Sequence, residues 1–261
     1  MKENRLRAMF DDGGTAFGAF CNTPSTYSAE VFADEGFDYV CIDTQHGLIG
    51  YDSMWPMLQA MRFADTTPLV RVPDIAGGWA AKALDAGAEG VIFPMIESAD
   101  DAARAVRAVR YAPQGARSFG PVRAGMLIGS DTHHANRQNM CIVMIETVAG
   151  VEHAHEICAT EGVDAVYIGP ADLAVSLGVP RDGWFSDDRH VSAMSAVREM
   201  CERHGVIPGI HTAGGEHGAS LAAEGFRMLT IAMDTTAIRM TAQAQLAHVR
   251  SGDATGTGLY G

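Results

Sequence analysis

Two kinds of stretch alternate along the chain. Short apolar runs at "AFGAF" (16–20), "YVCID" (39–43), "PLVRV" (68–72), "GVIFP" (90–94), "CIVMIE" (141–146), "AVYIG" (165–169), "VIPGIH" (206–211) and "MLTIAM" (228–233) predict eight strands. Between them lie Ala-rich segments such as "GWAAKALDAGA" and "DDAARAVRAVRYA", with apolar residues at helical spacing. Eight strands alternating with helices in 261 residues predict an α/β fold of the (β/α)8 TIM-barrel type. A doubly wound sheet is the alternative, because alternation alone does not show closure. The turn "DAGAEG" after the third strand returns as "AAEGFR" after the seventh. A single barrel domain is expected over residues 1–250, with a flexible Gly-rich tail at 251–261.

Charge and composition narrow the function. A net charge of −13 and a pI near 5.1 argue against nucleic acid and anionic membrane surfaces as partners. No apolar run reaches the roughly 20 residues of a membrane helix, and "MKENRLRAMFDD" lacks the apolar stretch of a signal peptide. The five cysteines (21, 41, 141, 158, 201) are odd in number, scattered and never in a CxxC. They read as reduced core residues of a cytoplasmic protein.

Barrel enzymes carry their chemistry where the strands end. In order, those ends offer Asp43, Gln45 and His46, then Arg71, Glu146, Asp172 in "GPAD", His211 and Asp234. Each closes an apolar run, and Gly47 lets the chain turn away after His46. Arg71 within "LVRVP" is the sharpest, since a buried arginine must be paired or bind an anion. Any one of these could be a satisfied structural polar group. Together on one face they point to a site. Glu146 and Asp172 come from successive strands and can share a hard cation such as Mg²⁺, or form a glycosidase-type acid/base pair or a salt bridge to Arg71. The chain has two lysines, Lys2 and Lys82, and neither ends a strand, so a Schiff base has no nucleophile. No GxSxG is present. "GTGLYG" (256–261) matches a dinucleotide fingerprint by letter but follows no strand, so NAD is not expected.

The stretches "IDTQHG", "PLVRVP", "DAGAEGVIFPM", "RYAPQGARSFGP", "MIET" and "GVDAVYIGPADLAVSLG" resemble the HpcH/HpaI aldolase and citrate lyase family. They are most similar to its metal-dependent (class II) pyruvate aldolases of the 4-hydroxy-2-oxoheptanedioate type. The resemblance spans about residues 16 to 247. It implies reversible cleavage of a 4-hydroxy-2-oxo acid to pyruvate and an aldehyde through a metal-stabilised enolate, without PLP. It implies Glu146 and Asp172 as ligands of Mg²⁺ or Mn²⁺, with Co²⁺ a further option. Arg71 would bind the carboxylate and polarise the keto oxygen. His46 would be the acid/base group, oriented by Asp85, and Asp43 would support the site from behind. The turn Gly169-Pro170-Ala171-Asp172 would hold the substrate carboxylate on the Ala171 and Asp172 amides. Gln45 and His211 are read from the strand ends as further substrate contacts, though His211, with Glu216 and His217, equally fits a structural turn. A homo-oligomer is implied, a trimer or a hexamer built from trimers that exchange the last helix.

Two departures from the family pattern bear on specificity. Thr44-Gln45 stands where many members have Gly-Glu, and Met144 where many have glutamine. Hydroxypyruvate or another 2-oxo acid therefore joins pyruvate as a candidate donor. The segment 115–140 is too long for an ordinary connection. Its Arg117, Arg123 and Arg137 read either as a surface excursion or as a basic wall for an anionic acceptor. A CoA-ester lyase, a barrel isomerase or mutase acting on a 2-oxo acid, and a non-catalytic binding protein are the competing functions.

Overall fold

The computed structural model describes residues 3–76, 78–180 and 182–251. The expected tail therefore lies outside the described residues, apart from Ser251, and so does Lys2. Eight strands form one closed parallel barrel in sequence order: β1 (Ala16–Cys21), β2 (Tyr39–Asp43), β3 (Thr67–Arg71), β4 (Gly90–Phe93), β5 (Met140–Ile145), β6 (Ala165–Ile168), β7 (Ile207–His211) and β8 (Met228–Met233). The doubly wound alternative is thereby excluded.

The helices preceding β5 are α1 (Arg5–Asp11), α2 (Thr26–Asp34), α3 (Tyr51–Ala60), α4 (Trp79–Asp85), α5 (Ala99–Val109), α6 (Val122–Ile128) and α7 (Thr132–Gln138). After β5 come α8 (Val148–Glu152), α9 (Ala154–Cys158), α10 (Pro170–Ser176), α11 (Asp188–His204), α12 (Gly215–Ala223) and α13 (Asp234–Ser251).

Side chains alternate across each strand, so residues two apart share a face. Tyr39 and Cys41, Leu69, Ile92, Met140, Ile142 and Met144, and Ala165 and Tyr167 fill the barrel interior. Their neighbours Val40, Ile42, Val70, Val91, Cys141, Val143 and Val166 pack outward against the helices. Deep in the interior the Tyr39 and Tyr167 hydroxyls meet Thr230 Oγ1 at 2.9 and 2.6 Å, which satisfies their buried oxygens. Gly18 makes room for the Tyr39 ring, since a Cβ there would lie 2.3 Å from its carbons.

The recurring turn is real. Gly87 (φ +103°) and Gly225 (φ +106°) each follow a helix, and the next residues, Ala88 and Phe226, donate back to Ala83 and Leu221 carbonyls. Both glycines adopt a backbone that an L side chain resists. The five cysteines are buried and unpaired. Among the described residues no helix is long and apolar enough to cross a membrane.

Helix α1 was not evident in the sequence. It closes the N-terminal end of the barrel with Leu6 and Phe10, both buried with the interior side chains. The 115–140 segment lies at that same end, where Arg123 donates to the carbonyls of Leu58 and Ala86 near the last turns of α3 and α4. Arg117 is buried and paired with Asp85. Both arginines are thus spent on structure, far from the strand C-termini, and the basic-wall reading fails for them.

Candidate active site

The interior rows of the barrel continue past their apolar layers into polar groups. On β2 the row Tyr39, Cys41 ends at Asp43, and on β3 the row from Leu69 ends at Arg71. The two ends are register partners. Asp43 is fully buried and receives Arg71 Nε at 2.9 Å and Nη2 at 2.7 Å, a bidentate pair. It also accepts Asn22 Nδ2 at 2.8 Å and the amides of Gln45 and His46 at 3.1 and 3.3 Å. Burial works to raise this carboxyl, but the guanidinium and the two amides outweigh it and hold it below the usual carboxylate range. Asp43 therefore fixes Arg71 and the loop bearing His46 at once. Asn22, one residue past β1, is a member of this cluster that the sequence reading missed.

Arg71 remains charged; burial opposes this, and the Asp43 carboxylate overcomes it. Its Nη1 meets only the Met144 sulfur, at 3.9 Å, and its guanidinium stacks 5.3 Å above the Phe20 ring. His211, ending the interior row of β7, stands edge-on to the same ring at 5.5 Å. Burial, and then the nearby Arg71 charge, push its imidazole down to about 4, so it is neutral at pH 7. His46 is exposed beside this cluster. Gly47 must be glycine, because a Cβ there would sit 2.1 Å from the Asp43 carbonyl oxygen. Thr44 donates its hydroxyl to the Arg71 carbonyl at 2.7 Å, and Gln45 Oε1 is buried without a partner.

Glu146 follows β5 in the interior row of Met140, Ile142 and Met144, and is 1% exposed. Its Oε1 accepts the Met95 amide at 2.8 Å. Met95 holds a positive φ of 56°, a strained setting for a residue with a side chain. Gly169 opens the space for the other oxygen: a Cβ at 169 would lie 2.2 Å from Glu146 Oε2. Burial pushes the Glu146 carboxyl up; the Met95 amide opposes this, and the neighbouring Asp172 carboxylate adds to it. Asp172 lies in the first turn of α10, exposed at the mouth. Among the described residues no third His, Cys, Asp or Glu groups with this pair as a metal cluster.

The structure thus gathers Asp43, Gln45, His46, Arg71, Glu146, Gly169, Ala171, Asp172 and His211 at one end of the barrel. It does not bring Asp85 to His46. A helix that follows a strand runs back toward the strand N-termini, so Asp85, the last residue of α4, lies at the opposite end of its own barrel. There its carboxylate is 2.7 Å from Arg117. Asp234 is likewise structural, accepting from the Asn22 and Thr23 amides and from the Thr23 hydroxyl. His217 turns back to accept the Ala213 amide at 3.1 Å and packs on Phe185. A recess of about 230 Å³ around Arg110 and Arg137 contains none of the mouth residues.

The model of the HpcH/HpaI aldolase/citrate lyase family matches residues 16–240. A hydroxypyruvate/pyruvate aldolase of Rhizorhabdus wittichii is 34% identical over 249 residues, covering 95% of this chain and 99% of that protein. A 4-hydroxy-2-oxo-heptane-1,7-dioate aldolase of Escherichia coli is 31% identical over 249 residues, covering 93% of each. The crystal structure of a family protein from Burkholderia cenocepacia superposes with a TM-score of 0.88 at 32% identity, covering 95% of this chain and 99% of that one. With matches that span nearly the whole closed barrel, this chain belongs to the HpcH/HpaI aldolase/citrate lyase family.

Proposed function

We propose that this protein is a metal-dependent class II aldolase that reversibly cleaves a 4-hydroxy-2-oxo acid to pyruvate, or hydroxypyruvate, and an aldehyde. As a family member it is a carbon–carbon lyase. The observation that carries the finer reading is the approach of Glu146 and Asp172 beside an arginine that Asp43 has locked in place. Two carboxylates without a third protein ligand suit a hard ion such as Mg²⁺ or Mn²⁺, which keeps positions for water and substrate oxygens. The raised Glu146 carboxyl and the side-chain-free space at Gly169 both favour a cation between the two acids. Such a cation supplies Lewis-acid stabilisation of negative charge on the substrate keto oxygen.

The residues then divide the work. Arg71 presents Nη1, the corner that Asp43 leaves open, to the carboxylate and keto oxygen of the 2-oxo acid. The Ala171 and Asp172 amides, in the first turn of α10, have no intrahelical acceptor and face the same carboxylate. His46 takes the proton from the 4-hydroxyl as the C3–C4 bond breaks, and the bonding pair passes into the enolate of the 2-oxo acid. The aldehyde leaves, and protonation at C3 completes the cycle. Lys82 lies on α4 with its ammonium 5.0 Å from the Tyr51 ring centre, away from this chemistry. Gln45 and His211 line the site as substrate contacts.

The test is chelation followed by return of Mg²⁺ or Mn²⁺, with cleavage and exchange of pyruvate methyl protons followed together. Both activities vanish with chelator and return with metal. Activity that survives chelation, or a pyruvyl adduct trapped by borohydride and seen by mass spectrometry, overturns the reading. Assembly belongs to the same proposal. Helix α13 leaves Ile238, Met240, Leu246 and Val249 at 50–71% exposure, an apolar surface that suits a partner subunit. Light scattering at micromolar concentration should give a trimer or hexamer; a monomer refutes it.

A further inference from the structure

Glu146 is held directly, by the Met95 amide. Asp172 rides on α10, a helix of seven residues, too short to define its own position by helix stability alone. Something outside the helix must set where its first turn sits. His190, in the first turn of α11, is completely buried with both ring nitrogens on carbonyl oxygens. Nε2 is 2.8 Å from the Pro170 oxygen and Nδ1 is 3.0 Å from the Trp184 oxygen. Pro170 is the first residue of α10, between Gly169, which makes room for Glu146, and Asp172. The Trp184 and Phe185 rings pack around the imidazole at 6.3 and 6.0 Å and fix its plane.

We propose that His190 is a positioning residue for the cation site: its Nε2–H holds the Pro170 carbonyl and thereby sets Asp172 against Glu146. This rests on the reading that those two carboxylates bind the cation. An apolar side chain could fill the same volume, but it could not set the distance from α11 to one carbonyl in the first turn of α10. The functional consequence is carried by the Nε2 contact. A neutral imidazole can donate to only one of these carbonyls; with the proton on Nε2 the Nδ1 approach to Trp184 is not a hydrogen bond, and the Trp184 and Phe185 rings orient the imidazole.

The two contacts can be separated, because a glutamine amide reaches about where Nε2 lies and an asparagine amide about where Nδ1 lies. The assay is calorimetric titration of chelator-treated full-length protein with Mn²⁺ alone, beside thermal melting. His190→Gln should keep Mn²⁺ affinity within about threefold, and His190→Asn should weaken it by about tenfold, at the low end for losing an outer support of a metal ligand. Turnover at saturating Mn²⁺ should recover to within about threefold in both. Equal affinities in the two variants, with matched melting temperatures, overturn the assignment, since a packing role would treat them alike. Asp172→Ala is the control. If it binds Mn²⁺ as the unsubstituted protein does, the cation reading fails and the role of His190 fails with it. If it loses Mn²⁺ while His190→Asn does not, only the role of His190 fails. Should the asparagine variant not fold, hydrogen exchange of the unsubstituted protein decides. Residues 184–190 must gain protection with 169–173 on adding Mn²⁺, and protection confined to 169–173 overturns the proposal.

Discussion

Replacing Gly169 by alanine tests the cation site with a single methyl group. The backbone there has φ −93°, which alanine accepts, so the effect must come from the side chain. The new Cβ would stand 2.2 Å from Glu146 Oε2, 2.9 Å from Glu146 Cβ and 3.1 Å from Met144 Cε. Ordinary carbon–oxygen contact needs about 3.2–3.5 Å, so the carboxylate must retreat by roughly 1 Å. It cannot do so without stretching its 2.8 Å bond from the Met95 amide. Weakening that part-buried bond costs up to about 1 kcal/mol, and overpacking about 1–3 kcal/mol. A displacement of ~1 Å in a catalytic group typically costs ~10²-fold in rate, and Mn²⁺ affinity should fall by about 10–100-fold. Gly18→Ala is the matched control. Its Cβ would meet the Tyr39 ring at 2.3 Å, well inside the barrel, so it should destabilise the fold yet leave Mn²⁺ affinity of the folded protein unchanged. Calorimetric Mn²⁺ titration, turnover and melting on the two variants provide the comparison. Gly169→Ala protein that binds Mn²⁺ and turns over within threefold of the unsubstituted enzyme refutes the reasoning.

Other perturbations separate the remaining roles. His46→Ala should keep Mn²⁺ affinity but slow cleavage by roughly 10²–10⁴-fold, the usual loss of a general base; loss of metal in the calorimeter would contradict this. Asp43→Ala removes one partner of a buried ion pair and should cost about 3–5 kcal/mol in a urea titration, along with a raised KM for the 2-oxo acid. An unchanged urea midpoint would show that Arg71 holds itself. His211 gives a pH signature. Its imidazole is lowered to about 4 in the fold but is near 6.5 when unfolded, so the unfolded chain takes up the proton first as pH falls. The contribution is fully present above pH 6.5 and is lost progressively down to pH 4, amounting to about 3 kcal/mol. Urea midpoints measured across that range should fall more steeply for the unsubstituted protein than for His211→Gln, and parallel curves would contradict the lowered, neutral imidazole.

All eight strands could be read from the sequence to within a residue of their observed ends, because interior and exterior positions alternate between two apolar layers. Asp43, Arg71, Glu146 and His211 were legible for the same reason, as polar residues closing apolar runs. What stayed hidden was work done by the backbone or set by direction. The Met95 amide carries no sequence signal. Helix α1 has seven residues with two buried side chains, Leu6 and Phe10, too few to show a period. The strand reading stopped at Phe20, two residues short of Asn22. Asp85 was paired with His46 by resemblance alone, and within one chain its place at the end of α4 sets it at the opposite end of the barrel from His46. His190 lies among "SDDRHVSA", where nothing local separates it from a solvated helix start.

Strand parity and charge together explain how an acidic protein can receive an anionic substrate. Because residues two apart face the same way, the interior rows deliver Asp43, Arg71, Glu146 and His211 to one mouth, while His46 comes from the loop after β2 and Asp172 from the first turn of α10. Asp43, fully buried, spends its charge on the part-buried Arg71, so that pair presents little net field. Glu146 and the exposed Asp172 bring like charges together, and burial makes the charge on Glu146 costly. The proposed divalent cation would balance them. With the two acids balanced by a cation, no net negative charge would remain there to repel an anion, and the Arg71 Nη1 that Asp43 leaves open could pair with it. On a chain of net charge −13, the proposed metal would then serve to draw in the 2-oxo acid as well as its chemistry. The 2-oxo acid should therefore bind weakly to chelated protein even though Arg71 is already in place.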